Sequence, residues 1–269
     1  MIKATLIADS ITHRGRRLST FECVYPFYIH AEVMTHRQFS RNAQSARAIP
    51  IEKYIQGIID NPVEPIFMKN KAGMAAEERL IGYALKNALD EWNYARDAAI
   101  VAASNMVSAG VHKQIANRIL QPYSHTTAII SSTEWDNFFQ LRIHPAAQQE
   151  IQELAVKMRD ALYSSKPIRL LEGEYHLPYI QEDEKERASL LDLKKISVAR
   201  CARVSYLNHD KQLDYKKDIE LFDRLFKERH MSPFEHIATP STHIFDNMRY
   251  ISNFRGWVQL RKIIENNYE

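Results

Sequence analysis

Residues 35–47 of the chain read THRQFSRNAQSAR, and they concentrate hydrogen-bonding side chains where a helical pattern gives way to a loop. Arginine offers a planar fork of donors that matches phosphate oxygens, and serine hydroxyls with backbone N–H groups complete such a shell. From these residues alone, two interpretations stay open. One is an anion-binding site, and the other is a solvated polar loop.

Periodic patterns on both sides of this stretch predict a mixed fold. Apolar residues recur at a three-four spacing over one long segment that ends at Gly110, which is typical of a core helix. β-Branched and aromatic runs predict strands. The expected strands lie at residues 3–8, 21–29 and 126–132, and the expected helices lie at 75–109, 113–120, 145–164 and 218–229.

The composition is that of an ordinary folded chain, with 269 residues and 45% apolar content. The 36 basic and 33 acidic residues nearly cancel, and no basic block is long enough to form a nucleic-acid arm, so no nucleic-acid partner is expected. No apolar run approaches the roughly 18 residues that a membrane span requires. The N-terminus lacks signal-peptide features, so a cytoplasmic location is expected.

A polar stretch that is broken by proline and glycine divides the chain. It covers residues 166–192 and predicts a linker between a region at 1–165 and a second region at 193–269. The two cysteines, Cys23 and Cys201, are too few for a disulfide framework or a four-ligand metal site. The histidines have no spaced carboxylate or thiol partners, so no metal site is expected.

The 35–47 stretch resembles the signature of flavin-dependent thymidylate synthases, Arg-His-Arg-x-x-Ser-x-Asn-x-x-Ser-x-Arg. Six of the seven fixed positions match, and the exception is Thr35, where the family has arginine. Residues 118–150 resemble the family's second substrate-binding region, in which an arginine polarises the uracil ring, and Arg142 matches that arginine. The resemblance implies an α+β fold with an antiparallel sheet and long packed helices.

Two further segments resemble flavin-contacting elements that precede the signature in the family but follow it here. They are ARVSY at 202–206 and HMSPFEH at 230–236. An internal repeat explains this order, with a compressed first copy that includes Asp9-Ser10 and residues 19–22. A circular permutation is the alternative explanation.

The resemblance implies reductive methylation of dUMP to dTMP. Methylenetetrahydrofolate gives the carbon, reduced FAD gives a hydride, and NADPH is a further co-substrate. The family builds its active sites at subunit contacts, which implies a homotetramer, although the repeat makes a dimer an alternative. The implied site residues are Arg142 and Ser45 for catalysis; Ser45, Arg47, Gln44, Arg142 and Glu32 for the nucleotide; and His36, Arg37, Asn42, Ser205, His230, Ser232 and Glu235 for the flavin.

Departures from the family pattern leave alternatives open. Thr35 removes a positive charge, which Arg41, Arg255 or Arg261 can replace. One alternative function is C5-hydroxymethylation of dUMP or dCMP, in which water rather than hydride completes the reaction, as in viral base-modification pathways. Another is a non-catalytic nucleotide-binding homologue. The cysteine-dependent kind of thymidylate synthase needs an activated thiol in a basic, partly exposed setting, and it is not expected here. Cys23 lies in a strand-like run, and Cys201, although Arg200 and Arg203 flank it, lacks the sequence surroundings of that family.

Overall fold

The computed structural model describes residues 1–73, 76–204, 214–241 and 252–267. Within these ranges, short 3₁₀ helices join the main elements near residues 27, 46, 117 and 232. The strands are β1 (Lys3–Thr12), β2 (Arg17–Pro26), β3 (Ser40–Ala43), β4 (His125–Ser132), β5 (Ile168–Leu170), β6 (Ala238–Pro240) and β7 (Trp257–Gln259). The helices are α1 (His30–Met34), α2 (Ile51–Asp60), α3 (Gly82–Ser108), α4 (Lys113–Ala116), α5 (Asp136–Arg142), α6 (Gln149–Ser164), α7 (Glu182–Arg187), α8 (Leu190–Arg203), α9 (Tyr215–Lys227) and α10 (Leu260–Asn266).

A five-stranded sheet, in the order β3-β4-β2-β1-β5, forms the centre of the fold. All its pairs are antiparallel except β1 with β5, which run parallel. The β1–β2 hairpin turns through Gly15 at a φ of +79°, a conformation that favours glycine. A separate antiparallel pair, β6 with β7, lies in the C-terminal part. The predicted α+β class with an antiparallel sheet is therefore confirmed.

Helices cover both faces of the sheet. Ile130 of β4 belongs to the core formed with α5 and α6, whereas its neighbour Ile129 belongs to the core formed with α8, α9 and residues 234–237. Both side chains are fully buried. Because side chains alternate between the two faces of a strand, a continuous apolar run such as 128–130 indicates a sheet that is covered on both sides.

The long helix α3 corrects one expectation. Its apolar stripe predicted a core helix from residue 75, but the helix begins at Gly82, and Ala103 is its one fully buried residue. Tyr83, Tyr94 and Val101 are 79%, 73% and 59% exposed. The spacing of apolar residues correctly predicted a helix with an apolar face. It does not show whether other residues of the same chain bury that face.

The polar stretch 166–192 contains β5 and α7, and it packs against both the central sheet and the C-terminal part. His176 is 1% exposed, and Glu184 is fully buried. The Arg200 guanidinium of α8 donates to both Glu184 carboxylate oxygens at 2.7 Å and reaches Asp218 at 3.2 Å. The division into regions 1–165 and 193–269 stays a prediction. Across the described ranges, no helix combines the length and the apolar character that a membrane crossing requires.

Candidate active site

The 35–47 stretch runs along the edge of the sheet. Residues 35–39 follow α1, the next four residues form the edge strand β3, and residues 44–47 leave the strand at its other end. A strand rises about 3.3 Å per residue, so β3 separates the two halves of the stretch by roughly 13 Å. The two halves therefore serve different parts of the surface of one chain.

The first half meets α5 at a hydrogen-bonded cluster around Arg142. The Arg142 Nε donates to His36 Nε2 at 2.9 Å, and its Nη2 donates to Thr35 Oγ1 at 3.2 Å and to the Glu32 carbonyl oxygen at 3.4 Å. The Thr35 hydroxyl in turn donates to the same carbonyl at 2.6 Å. Thr35 and His36 thus fix the orientation of the guanidinium.

Among the described residues, no carboxylate forms an ion pair with Arg142. Every acceptor that it contacts is neutral, and in the described part of the chain no carboxylate lies within 4 Å of it. His36 stays neutral at pH 7, because burial and then the charges of Arg142 and Arg41 lower its pKa to about 4. His36 therefore orients Arg142 without competing with an anionic ligand for it.

A cleft of about 500 Å³ opens beside this cluster. Its walls are residues 35–39, side chains between Glu134 and Arg142, and Arg255 from the C-terminal part. Small-molecule sites commonly measure about 300–1,000 Å³, so the volume is that of a ligand pocket. Apolar side chains such as Phe39 and Phe138 lie next to cationic ones, an arrangement that suits a flat, anionic molecule.

The family model described as "Thy1: Thymidylate synthase complementing protein" matches residues 18–168. The chain belongs to this family. Crystal structures of a UMP/dUMP methylase, PolB from Streptomyces cacaoi, are similar to it: the complex with 5-Br UMP has 16% identity and a TM-score of 0.48, over 60% of this chain and 88% of that one. The complex with 5-Br dUMP has 17% identity and a TM-score of 0.43, over 54% and 65%. No curated protein sequence matches the chain significantly.

The nucleotide residues that the Thy1 resemblance implies lie in two places. Arg142 and the Glu32 carbonyl meet at the cleft, and the Glu32 Oε2 atom is buried without a hydrogen-bond partner among the described residues. Gln44, Ser45 and Arg47 are not among the residues that line the cleft. The Gln44 side chain instead accepts from the Thr127 N–H at 3.2 Å, while Ser45 is half-buried and Arg47 is exposed.

The implied flavin residues divide in a similar way. His36 and Arg37 line the cleft, whereas the Asn42 side chain donates to the Cys201 carbonyl oxygen at 2.8 Å. Among the C-terminal candidates, Glu235 accepts from Arg261, Ser232 is exposed, and His230 is exposed beside Glu228. Ser205 lies outside the described residues. In the described residues of this single chain, the C-terminal candidates do not line the cleft beside His36.

Two hydrogen bonds that join the cleft wall to the C-terminal part were not predicted from the sequence. The Gln38 side chain donates to the Asn253 carbonyl oxygen, and the Asn253 side chain donates back to the Gln38 carbonyl oxygen at 3.1 Å. The residues lie 215 positions apart, so neither periodicity nor motif spacing relates them. The sequence shows only that Gln38 and Asn253 carry side-chain amides, which need hydrogen-bond partners when they are half-buried.

Both cysteines lie in the core. Cys23 and Cys201 are fully buried, and burial raises the pKa of each thiol well above its usual range. A thiolate nucleophile needs the opposite, a lowered pKa and access to the substrate. Among the described residues, no three side chains of metal-binding types converge on one point.

Proposed function

We propose that this Thy1-family protein transfers a one-carbon group to C5 of dUMP by reductive methylation, with methylenetetrahydrofolate and NADPH as co-substrates and FAD as cofactor. The observation that carries the proposal is Arg142, a guanidinium held by neutral partners at the wall of a ligand-sized cleft. A guanidinium with neutral partners can bind a negatively charged group of a ligand.

Arg142 would polarise the uracil ring and stabilise the negative charge that builds up on it before C5 forms its bond to the electrophilic carbon. One aligned donor in an enclosed site is worth about 3 kcal/mol, by analogy with an oxyanion-hole donor. His36 and Thr35 hold the guanidinium in place. Because His36 is neutral above pH 5, it adds no charge that would oppose the arginine or bind the nucleotide itself.

The cleft also fits part of a flavin. Reduced FAD, when bound, supplies the hydride that completes the methyl group. The apolar side chains Phe39, Phe138 and Leu141 line the cleft, and His36 and Arg37 are the cleft residues that would hold a ring system beside them. No part of this chain needs to act as a covalent nucleophile, which agrees with the two buried thiols.

A second copy of the chain would complete the site. Ser45 and Arg47 suit a nucleotide phosphate, but β3 separates them from the cleft by roughly 13 Å. In the homotetramer that we propose, one subunit supplies Ser45 and Arg47 to the cleft of another. This agrees with the family arrangement, in which active sites form at subunit contacts, and a dimer is the smaller alternative. The exposed apolar face of α3, with Tyr94 and Val101, offers a surface for that contact.

The test is the mass of the product. The protein is reconstituted with FAD and incubated with dUMP, methylenetetrahydrofolate and NADPH. The nucleotides are then separated, and their masses are measured by mass spectrometry. A product with the mass of dTMP supports reductive methylation. A mass one oxygen higher would establish hydroxymethylation instead, and tight dUMP binding without any product would leave a nucleotide-binding homologue.

A binding experiment tests the phosphate assignment separately. Arg47→Ala should weaken dUMP by roughly tenfold to a few hundredfold, because a charged hydrogen bond contributes about 1.5–3 kcal/mol. Deoxyuridine, which has no phosphate, should bind the variant as it binds the wild type. Titration calorimetry with both ligands measures this, after circular dichroism has shown that the variant is folded. Equal weakening of both ligands would assign Arg47 to the fold or to the base.

A further inference from the structure

Among the described residues, three arginines line the cleft, and one of them comes from outside the part of the chain that the Thy1 model matches. Arg37 and Arg142 lie within residues 18–168, but Arg255 does not. The cleft also contains the carboxylates Glu134 and Asp136, so the described residues of its walls carry three positive and two negative charges. The surplus is positive, and it depends on Arg255.

Of the three arginines that can replace the charge missing at Thr35, two are already engaged elsewhere. Arg41 donates to the backbone carbonyl oxygens of Met34 and His36, so its guanidinium binds the backbone next to the cleft residues 35–39. Arg261 lies between two carboxylates, with Glu235 at 2.6 Å and Glu265 at 2.7 Å. Arg255 is the one of the three that lines the cleft.

The loop that carries Arg255 is held firmly on both sides of it. Phe254 and Trp257 are buried, at 4% and 2% exposure, and the Arg255 N–H donates to Thr133 Oγ1 at 3.0 Å. Gly256 adopts a φ of +76°, and a Cβ there would lie 2.8 Å from the Arg16 Cγ, so this position requires glycine. The backbone is fixed while the Arg255 side chain extends into the cleft opening.

The Arg255 side chain can still exchange its partner. Among the described residues, its ion-pair partner is the Glu134 carboxylate at 3.6 Å, and the arginine side chain is 67% exposed. An exposed ion pair of that length stabilises little. A phosphate offers more, because its oxygens match the guanidinium fork and accept two parallel hydrogen bonds.

We propose that Arg255 is an additional phosphate-binding residue of the cleft, which the C-terminal part supplies in place of the positive charge that Thr35 lacks. The inference rests on the proposed function, which brings phosphate-bearing ligands to this cleft. The phosphate belongs either to dUMP or to the pyrophosphate of FAD, and both present the same chemistry to the guanidinium.

The experiment is calorimetric titration of the full-length wild type, Arg255→Ala and Arg255→Lys with inorganic pyrophosphate, dUMP and FAD. Arg255→Ala should weaken pyrophosphate and at least one of the two larger ligands by roughly tenfold to a hundredfold. Arg255→Lys should recover part of the loss, because it keeps the charge but not the fork. Weakening of dUMP or of FAD identifies the source of the phosphate.

Matched controls separate a binding role from a structural one. Deoxyuridine and riboflavin, which have no phosphate, should bind wild type and Arg255→Ala equally. Arg159→Ala removes a partly exposed arginine of α6 that pairs with Asp160 and does not line the cleft, so it should change no affinity. Glu134→Gln removes the competing carboxylate and should tighten pyrophosphate binding.

The inference is overturned if pyrophosphate, dUMP and FAD all bind Arg255→Ala as tightly as wild type, or if wild type binds none of them. Its failure is distinct from that of the proposed function. A phosphate-dependent effect of Arg255→Ala in a protein that makes no dTMP would refute the reaction and keep the binding residue. Formation of dTMP with unchanged affinities in the variant would do the reverse.

Discussion

Two buried histidines predict that the protein loses stability in mild acid. His176 lies between Ser10 and Thr20, at 2.9 Å from the Ser10 Oγ and 2.8 Å from the Thr20 Oγ1. His236 Nδ1 lies 2.8 Å from the Ser131 Oγ. Thr20 and Ser131 are themselves hydrogen-bonded at 2.6 Å, so both imidazoles belong to one buried network.

Burial keeps both histidines neutral and lowers the pKa of each to about 3. For His236, the neighbouring His176 lowers the pKa further, whereas Asp9 partly opposes the effect on His176. The unfolded chain, with an ordinary pKa near 6.5, binds protons first as the pH falls. Stability is therefore complete above about pH 6.5 and declines down to about pH 3, where the folded protein also becomes protonated.

The size of the loss follows from linkage. Each histidine that stays neutral in the fold costs about 1.4 kcal/mol per pH unit below 6.5. At pH 5 this amounts to about 2 kcal/mol for His176 and the same for His236, or about 4 kcal/mol together. A domain is typically stable by about 5–15 kcal/mol, so the loss is readily measured.

Urea unfolding at pH 7 and pH 5, at one fixed protein concentration, measures the free energy of unfolding. A variant with both His176→Asn and His236→Asn should lose about 4 kcal/mol less than wild type between these pH values. The single variants, which disturb the core less, should each lose about 2 kcal/mol less. Ser10→Ala is the control, since it removes a hydrogen bond but no imidazole, and it should lower stability equally at both pH values. Equal losses in wild type and double variant would refute the reasoning.

Three further predictions concern the reaction and the assembly. Arg142→Lys should lower kcat by about a hundredfold or more while the flavin absorbance spectrum stays unchanged, and single-turnover kinetics measures this; retained turnover would remove Arg142 from the mechanism. Cys23→Ser and Cys201→Ser should each keep wild-type turnover once folding is verified, because both thiols are buried; a folded but inactive variant would indicate covalent catalysis. Tyr94→Glu on α3 should reduce the assembly size in analytical ultracentrifugation, while Tyr163→Glu, at 68% exposure on α6, should not; an unchanged sedimentation of both variants would place the subunit contact elsewhere.

The sequence predicted the secondary structure well where one residue pattern continues over a whole element. The strand expected at 126–132 is β4, and the helix expected at 218–229 is α9, which lies three residues earlier at its start and two at its end. Helix boundaries after Pro145 were less clear, since α6 begins at Gln149. Proline is compatible with a first helical turn but does not place it, because it restricts only its own φ and the preceding residue.

The candidate site was only partly predictable, because a motif gives residue types and order but not distances in space. The pairing of Arg142 with His36 joins two matched segments that lie 106 positions apart, and the resemblance brought both forward. The role of Thr35 as a partner of Arg142 was not predicted, since it departs from the family pattern. Nor did the spacing show that β3 carries Ser45 and Arg47 away from the cleft.

Ser40 shows that a residue can match the family signature and still bind another part of the protein rather than a ligand. It is the first serine of the signature, yet its buried hydroxyl accepts from Asn253 Nδ2 at 3.0 Å and from Gln259 Nε2 at 2.9 Å, both of the C-terminal part. Gln259 also donates to the Glu235 carbonyl oxygen at 3.0 Å. A hydroxyl with two acceptor lone pairs is satisfied by these two donors, which leaves it no lone pair for a ligand. The C-terminal part therefore contacts the sheet edge through a signature residue, Ser40. Because Arg255 lies between Asn253 and Gln259, the same contact holds Arg255 at the cleft.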